Sequence, residues 1–290
     1  MRLRGAGLPS CVATALSMAV LALGVAAAHA VEPGVKHVTL PEALGLHPEA
    51  VRISSTGGAE LSGWWFGADT SASTVVIAPR GRGTMADLLP AAREFQARGL
   101  AVLTFDYRGF GPGTTDHDTL RTIVFHSQWV DDMVAALAFA RSRAGAGHHV
   151  FAWGQDLGSA VALAAAARHR RNCDGIAIEG LFRTSQEELR RAGTSSIPGI
   201  SEKHQKIVGG QDEPFSAAAR LQVPAMVLLA GRDSVTTAAV TRQVIGRSLL
   251  MPVELWSLPE AGHGGAELAP GYFDRVCAWF KRLTAFPAGS

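Results

Sequence analysis

The segment VFAWGQDLGS, residues 150–159, decides how the chain is interpreted. An apolar run typical of a buried strand ends at Trp153, and an alanine-rich run typical of a helix follows the segment. Between the two runs, Gly154 and Gly158 stand two residues on either side of Asp156. Glycines at this spacing permit a turn too tight for side chains and hold the central residue in a strained conformation. The pattern predicts a nucleophile elbow with Asp156 in the position that serine usually takes.

Two later segments place reactive side chains directly after predicted strands. Asp233 lies in GRDS after the apolar run 225–231, and His263 lies in AGHGG after the run 253–258. Each residue alone has a simpler interpretation, since Asp233 could cap a helix and His263 could be an ordinary turn histidine. All three side chains, at strand ends and in the order nucleophile, acid, histidine, predict a catalytic triad of Asp156, Asp233 and His263.

Strand-like and helix-like runs alternate along the chain, which is typical of a mostly parallel sheet with helices on both faces. The predicted strands cover residues 60–66, 74–79, 100–106, 150–153, 175–179, 225–231 and 253–258, the first being a candidate antiparallel strand. The predicted helices cover residues 85–98, 127–143, 159–168, 238–248 and 273–283. The polar stretch of about 181–222 interrupts this rhythm, and we expect it to be an inserted cap, because long insertions in compact domains usually serve function.

The composition indicates a folded domain without a general affinity for nucleic acid. Of 290 residues, 47% are hydrophobic and 18% are charged, enough apolar material for a large core. Setting aside Arg2 and Arg4 in the first 30 residues leaves 25 Lys and Arg against 25 Asp and Glu. A chain with this balance has no overall basic surplus to hold phosphates. We therefore expect no nucleic-acid partner, and the sequence leaves the oligomeric state open.

Residues 1–30 have the layout of a secretory signal peptide. A basic start is followed by an apolar run from Val12 to Ala28, and the segment closes on the small-residue site Ala28-His29-Ala30. The alternative is an anchor helix, although the run is at the lower limit of a membrane span. We expect cleavage, a mature domain over 31–290 without a membrane span, and a secreted or periplasmic location.

Cleavage would leave two cysteines, Cys173 and Cys277, in the mature chain. An exported compartment permits a disulfide between them. Cys277 falls within an amphipathic helical pattern and Cys173 just ahead of a strand, so two buried free thiols are the simpler expectation. The Cys and His spacing of zinc sites is absent from the sequence.

A glycine-rich turn, PRGRG at residues 79–83, follows the predicted strand 74–79 and leads into a helix. Enzymes with a nucleophile elbow take one oxyanion-hole amide from such a turn and the other from the residue after the nucleophile. Here the predicted donors are the backbone N–H groups of Arg82 (or Gly81) and of Leu157. The alternative interpretation of the turn is a plain helix start that tolerates anions.

The segment FDYRGFG, residues 105–111, closely resembles the D-x-R-G-x-G motif of α/β-hydrolases. The resemblance extends over roughly residues 50–285 and is to the monoglyceride-lipase, lysophospholipase and serine-aminopeptidase-like branch. It implies an α/β-hydrolase fold with an eight-stranded sheet, hydrolysis of esters, amides or related bonds of a small-molecule substrate, and no cofactor. Three departures from the pattern matter: Asp156 stands where these enzymes have serine, Arg80 where many have histidine, and Gly113 where a serine after the R-G-x-G turn is common.

A carboxylate at the elbow changes the available chemistry and leaves three functions open. Asp156 could be a covalent nucleophile, an arrangement similar to haloalkane dehalogenases and epoxide hydrolases. His263 and Asp233 could instead activate water directly on an ester. Thirdly, the protein could be a non-catalytic member of the fold that binds a ligand or an exported protein.

The dehalogenase-like function needs groups that hold or protonate the leaving group. Leu157 follows Asp156, where the dehalogenases commonly have tryptophan. The sequence has two tyrosines, Tyr107 and Tyr272, and neither lies in the cap where epoxide hydrolases commonly have theirs. The candidate substitutes are Trp64, Trp65, Trp153 and Arg82.

Two carboxylates beside one imidazole also predict an electrostatic effect. Nearby negative charge raises the pKa of a histidine, so His263 is expected to be protonated more readily than in a serine triad. Any activity should then have its optimum shifted to higher pH.

Overall fold

A computed structural model describes residues 31–67, 73–112, 127–145, 147–187 and 210–289. The predicted signal peptide, residues 1–30, lies outside the described residues, as does the central part of the predicted cap, residues 188–209. In the described part of the chain, no helix has both the length and the apolar character needed to cross a bilayer.

Strands and helices alternate through most of the described chain. The strands are β1 (Glu32–Pro33), β2 (Glu49–Ser54), β3 (Glu60–Phe66), β4 (Thr74–Ala78), β5 (Arg82–Gly83), β6 (Ala101–Phe105), β7 (Val150–Gln155), β8 (Gly175–Glu179), β9 (Ala225–Ala230) and β10 (Val253–Leu258). The α-helices are α1 (Leu89–Gln96), α2 (Ser127–Ala144), α3 (Leu157–Arg168), α4 (Pro214–Ala218), α5 (Ala238–Ile245) and α6 (Tyr272–Leu283).

Eight of these strands form one sheet in the order β10-β9-β8-β7-β4-β6-β3-β2. Strands β4 and β6 to β10 pair in parallel, whereas β3 is antiparallel to both β2 and β6. The short strands β1 and β5 pair separately and in parallel. The predicted fold class, a mostly parallel eight-stranded sheet of the α/β-hydrolase type, is confirmed.

Hydrophobic cores lie on both faces of the sheet because neighbouring residues of a strand point to opposite faces. In β4, Val76 and Ala78 contribute to the core that contains helices α2 and α3. Val75 and Ile77 contribute to the core that contains helices α1 and α6. With both faces covered, all five residues of β4 are buried, as expected for a central parallel strand.

Several sequence-based boundaries need correction, including the end of the predicted helix 238–248, which the structure places at Ile245. Strand β2 was not predicted. It lies at the edge of the sheet and only two of its residues are buried, so its alternation of polar and apolar residues is weak. The predicted helix 85–98 is a 3₁₀ turn, Met85–Leu88, followed by the shorter helix α1. Helix α3 begins at Leu157, directly after the elbow residue, two residues earlier than predicted.

Both cysteines of the described chain are free thiols, as expected. Cys173 is buried, whereas Cys277 is only half-buried. Burial raises the pKa of each thiol to about 12, so neither is a thiolate at neutral pH.

The turn between β7 and α3 is close-packed at both of its glycines. A Cβ on Gly154 would lie 2.5 Å from the carbonyl oxygen of Gly158, and a Cβ on Gly158 would lie 2.6 Å from the carbonyl oxygen of Ala78. Both contacts are with backbone atoms, which cannot move aside as a flexible side chain could. Helix α3 can therefore start directly against the end of β4 only if residues 154 and 158 are glycines.

Gly158→Ala is expected to lower the free energy of unfolding by about 1–3 kcal/mol, because the added methyl overpacks the contact with Ala78. Urea unfolding followed by circular dichroism measures the change. The matched control is Gly262→Ala, since a Cβ there meets no atom within 4 Å. Equal stabilities of the two variants would contradict this account of the turn.

Candidate active site

Asp156 occupies the strained position at the top of the elbow. Its backbone has φ 54° and ψ −126°, and it is the one non-glycine residue of the described chain with a positive φ. The Asp156 amide donates to the carbonyl oxygen of Glu179 at 3.1 Å, which holds the turn against β8. The carboxylate is 27% exposed at the carboxyl edge of the sheet. A strained conformation of this kind persists only where the surrounding structure fixes it.

The structure brings the other two predicted triad residues to the same place. Asp233 follows β9 and His263 follows β10, so both loops leave the same edge of the sheet as the elbow. His263 Nδ1 lies 3.1 Å from Asp233 Oδ2, and His263 Nε2 lies 3.5 Å from Asp156 Oδ2. The imidazole thus stands between the two carboxylates, as a triad requires.

Asp233 is held rigidly by the start of its own loop. One carboxylate oxygen accepts from the amides of Val235 and Thr236 at 2.7 and 2.9 Å. The other accepts from the Thr236 hydroxyl at 2.7 Å as well as from His263. Burial raises the pKa of Asp233, but the hydrogen bonds from His263 and Thr236 outweigh it and leave the pKa below its ordinary value. Asp233 is therefore an anion that orients the imidazole.

The two carboxylates determine the protonation of His263. Carboxylates only accept hydrogen bonds, and each ring nitrogen of His263 faces a carboxylate. The imidazole can therefore donate to both carboxylates only when both of its nitrogens carry a proton. Burial lowers the pKa of His263, but its contacts with Asp156 and Asp233 outweigh burial and raise the pKa to about 10. The resting site at neutral pH therefore contains an imidazolium between two carboxylates.

The predicted oxyanion turn lies beside the elbow. A Cβ on Gly81, which has φ 85°, would lie 2.5 Å from Leu157 Cδ2, so the turn and the start of α3 are in direct contact. Arg82 lies one residue further on, in the short strand β5 beside Glu32, with an exposed side chain. Leu157 is the first residue of α3, where backbone N–H groups lack partners within the helix. Their role as oxyanion donors stays a prediction.

The D-x-R-G-x-G segment forms a hydrogen bond with the segment that follows this turn. Asp106 accepts from the Met85 amide at 2.6 Å through one carboxylate oxygen, and its other oxygen lies 2.8 Å from His37 Nε2. The hydroxyl of Thr84 and the carboxylate of Asp87 form a capping box at the start of the following 3₁₀ turn. The motif therefore has a structural use here, fixing the loop that carries Arg82.

Arg80 stands where many related enzymes have histidine, and it connects two loops of the site. Its guanidinium donates to Glu267 Oε1 at 2.6 Å, across 187 residues of sequence. Glu267 follows His263 by four residues, so this ion pair ties the oxyanion turn to the histidine loop. Its net contribution to stability is expected to be small, because both side chains are partly exposed.

The aromatic residues considered as leaving-group donors do not meet at the site. Trp153 is fully buried and donates to the Tyr272 hydroxyl at 3.0 Å, and Tyr272 is itself buried. The ring of Trp64 packs at a tilt against His37, and Trp65 packs edge-on against Phe139. The expectation that these indoles substitute for the usual halide or epoxide donors is therefore not supported by their contacts.

Sequence reasoning missed two buried polar residues beside the triad, Gln155 and Glu179. They are opposite each other in the register of β7 and β8, and Gln155 Nε2 donates to Glu179 Oε2 at 2.6 Å. The only available signal was a polar residue at the end of each predicted strand. Among the residues that the structure describes, no group of three His, Cys, Asp or Glu side chains could hold a metal ion.

Comparisons with known proteins agree with the fold. The sequence model described as serine aminopeptidase, S33, matches residues 69–195. The Pyrococcus furiosus esterase Pf2001 superposes with a TM-score of 0.68 at 18% identity, covering 87% of this chain and 98% of the esterase. The α/β-hydrolase GrgF from Penicillium sp. sh18 superposes with a TM-score of 0.64 at 18% identity, covering 83% and 100%.

The chain also has a sequence relative of similar mass that is described as uncharacterized. It is a 31.7 kDa protein from the traX-finO intergenic region of Escherichia coli, 25% identical over 250 residues, covering 67% of this chain and 85% of the relative. Together with the eight-stranded sheet and the elbow, these matches show that the chain has an α/β-hydrolase fold, and residues 69–195 are similar in sequence to the serine aminopeptidase S33 model.

Asp156→Asn is expected to lower the pKa of His263 by one unit or more, a tenfold loss of proton affinity, because it removes one of the two charges on the ring. A nuclear magnetic resonance titration of the ring with ¹⁵N-histidine measures the pKa. Asp274→Asn, a change at a carboxylate that is 71% exposed on α6, is the control and should leave the titration unchanged. A wild-type pKa near the ordinary 6.5 would contradict the described geometry.

Proposed function

We propose that this protein hydrolyses esters or related acyl bonds of small molecules, and that Asp156, Asp233 and His263 carry the reaction. The observation on which the proposal rests is the imidazole placed between Asp233 and the strained elbow residue, at 3.1 and 3.5 Å. The similarity of the fold to an esterase supports the same class of substrate. The adjacent Leu157 and Arg82 amides are of the kind that stabilises a negative oxygen on an acyl carbon.

The first step in this proposal uses the proton that His263 already carries. An Asp156 carboxylate oxygen forms a bond to the acyl carbon, giving a tetrahedral oxyanion held by the Leu157 and Arg82 amides. The bond to the leaving oxygen then breaks, and the Nε2 proton of His263 passes to that oxygen. The result is a mixed anhydride on Asp156, a neutral imidazole and a released alcohol.

The second step returns the site to its starting state. Asp156 is now uncharged, so His263 has lost one of the two partners that kept it protonated. The neutral imidazole, oriented by Asp233, accepts a proton from a water molecule whose oxygen attacks the anhydride. The anhydride bond breaks, the acid product leaves, and the Asp156 carboxylate again faces an imidazolium.

A second candidate function, ligand binding without turnover, is favoured by one observation. The triad has no hydroxyl nucleophile, and an imidazolium paired with two carboxylates is a stable, satisfied arrangement. In this case the wild-type protein would turn over no ester, while Asp156→Ser would restore the missing nucleophile. Ester hydrolysis gained by Asp156→Ser from an inactive wild type would support the binding function.

Under the hydrolase proposal, His263→Ala and Asp156→Asn should each lower kcat/KM for p-nitrophenyl acetate or butyrate by about 100-fold or more. The matched controls are His169→Ala and Asp274→Asn, both exposed and remote in the fold from the elbow. The assay should include thioester, haloalkane and epoxide substrates. Activity retained by Asp156→Asn would overturn the nucleophilic role and leave direct activation of water.

The pH dependence of kcat/KM should reflect the raised pKa of His263. The first step needs a protonated imidazole, so activity should persist at pH 8–9 and fall as the pH passes about 10, where His263 loses its proton. A stopped-flow or steady-state pH profile measures this. The proposal would be contradicted if the activity fell as the pH rose from 6 to 7, or if the optimum lay at acidic pH.

A further inference from the structure

Glu179, the last residue of β8, is connected to both reactive loops although it touches neither reactive side chain in the described contacts. Its side chain is 1% exposed. Oε1 accepts from the Ala266 amide at 3.1 Å, three residues after His263. Oε2 accepts from Gln155 Nε2 at 2.6 Å, one residue before Asp156, and the Glu179 carbonyl oxygen accepts from the Asp156 amide at 3.1 Å.

We propose that Glu179 is a positioning residue that sets the separation of His263 from Asp156. The backbone of Glu179 fixes the elbow, and its carboxyl group fixes the histidine loop. The end of strand β8 therefore determines the positions of both Asp156 and His263. A buried carboxyl group is expensive unless it is hydrogen-bonded, and both of its oxygens here accept bonds from the two loops it connects. Removing the carboxyl group would leave the Ala266 N–H buried without this acceptor.

The groups around Glu179 allow it to remain bonded in either protonation state. The neutral Gln155 and the ionisable Arg80 and Glu267 act on Glu179, and Glu179 in turn acts on the buried Tyr272. Burial raises the pKa of Glu179 to about 7, although the Ala266 and Gln155 hydrogen bonds lower it. Gln155 Oε1 is buried without a partner in the described structure. Rotating this amide would bring Oε1 to the protonated carboxyl group, since such orientations are set by the hydrogen-bond network.

The test compares Glu179→Leu with the conservative Glu179→Gln, with the ring pKa of His263 as the readout. Glu179→Leu should release the histidine loop and lower that pKa by one unit or more, a tenfold change in proton affinity. Glu179→Gln keeps an oxygen for Ala266 and offers an amide to Gln155 Oε1, so its His263 pKa should stay at the wild-type value. A merely structural role would lower stability without moving the His263 titration, and that result in folded Glu179→Leu would overturn the proposal.

A measurement on the wild-type protein decides the case if Glu179→Leu does not fold. The Ala266 amide proton, assigned with ¹⁵N-alanine labelling and an Ala266→Gly variant, should change its chemical shift with an apparent pKa of about 7, following Glu179. A flat shift between pH 5 and 9 would overturn the link between Glu179 and the histidine loop.

Measurements of kcat and KM provide a further test, which rests on the proposed function. Glu179→Leu should lower kcat about 10- to 100-fold with little change in KM, because it displaces the histidine rather than the substrate. An unchanged kcat in an active wild-type background would contradict the proposal. Absence of turnover in the wild type would count against the hydrolase function alone, since the titrations of His263 and Ala266 do not depend on catalysis.

Discussion

The backbone contact between Gly158 and the end of β4 is the constraint on which the site depends. With 2.6 Å between a Cβ at residue 158 and the Ala78 carbonyl oxygen, only glycine lets helix α3 start so close to the sheet. This close start leaves one residue, Asp156, to connect strand and helix, and it takes the positive φ that the connection demands. The carboxylate is thereby presented at the sheet edge to which the loops after β9 and β10 also lead.

Replacing the usual serine by aspartate reverses the role of the histidine. A serine hydroxyl gives a proton to a neutral imidazole, whereas an ionised aspartate has none to give. In this protein both ring nitrogens face carboxylates, and the pKa of His263 is raised to about 10. In the proposed reaction, the ring therefore starts as an acid and becomes a base only after its proton has been transferred. The proposed acyl chemistry uses this order, and it needs no donor from the candidate tryptophans, of which Trp64 and Trp153 are buried and Trp65 is partly buried against the core.

The architecture and the triad were largely predictable because they depend on local patterns. The central strands are buried on both faces, so they appear in the sequence as continuous apolar runs. The close backbone contact at the elbow requires glycines, and these appear in the sequence as GQDLG. Strand β2 left little trace, since an edge strand with one covered face needs few apolar residues. The division of residues 85–98 into a 3₁₀ turn and a helix follows from a capping box and Pro90, which a periodicity argument overlooks.

The missed pair, Gln155 and Glu179, shows a different limit. Their importance comes from strand register, which places them side by side across 24 residues of sequence. Nothing in either segment alone indicates a buried carboxyl group, because polar residues at strand ends are usually exposed. Likewise, the contact between Arg80 and Glu267 depends on two loops meeting, and residue types alone do not predict it.

The central claim is that Asp156, His263 and Asp233 form one ionic triad at the carboxyl edge of the sheet. A neutron crystal structure at neutral pH tests it most directly, because it locates the hydrogen atoms on the imidazole. The account predicts a hydrogen on both ring nitrogens, with Nδ1 directed at Asp233 and Nε2 at Asp156. A ring carrying one hydrogen, or turned away from Asp156, would contradict it.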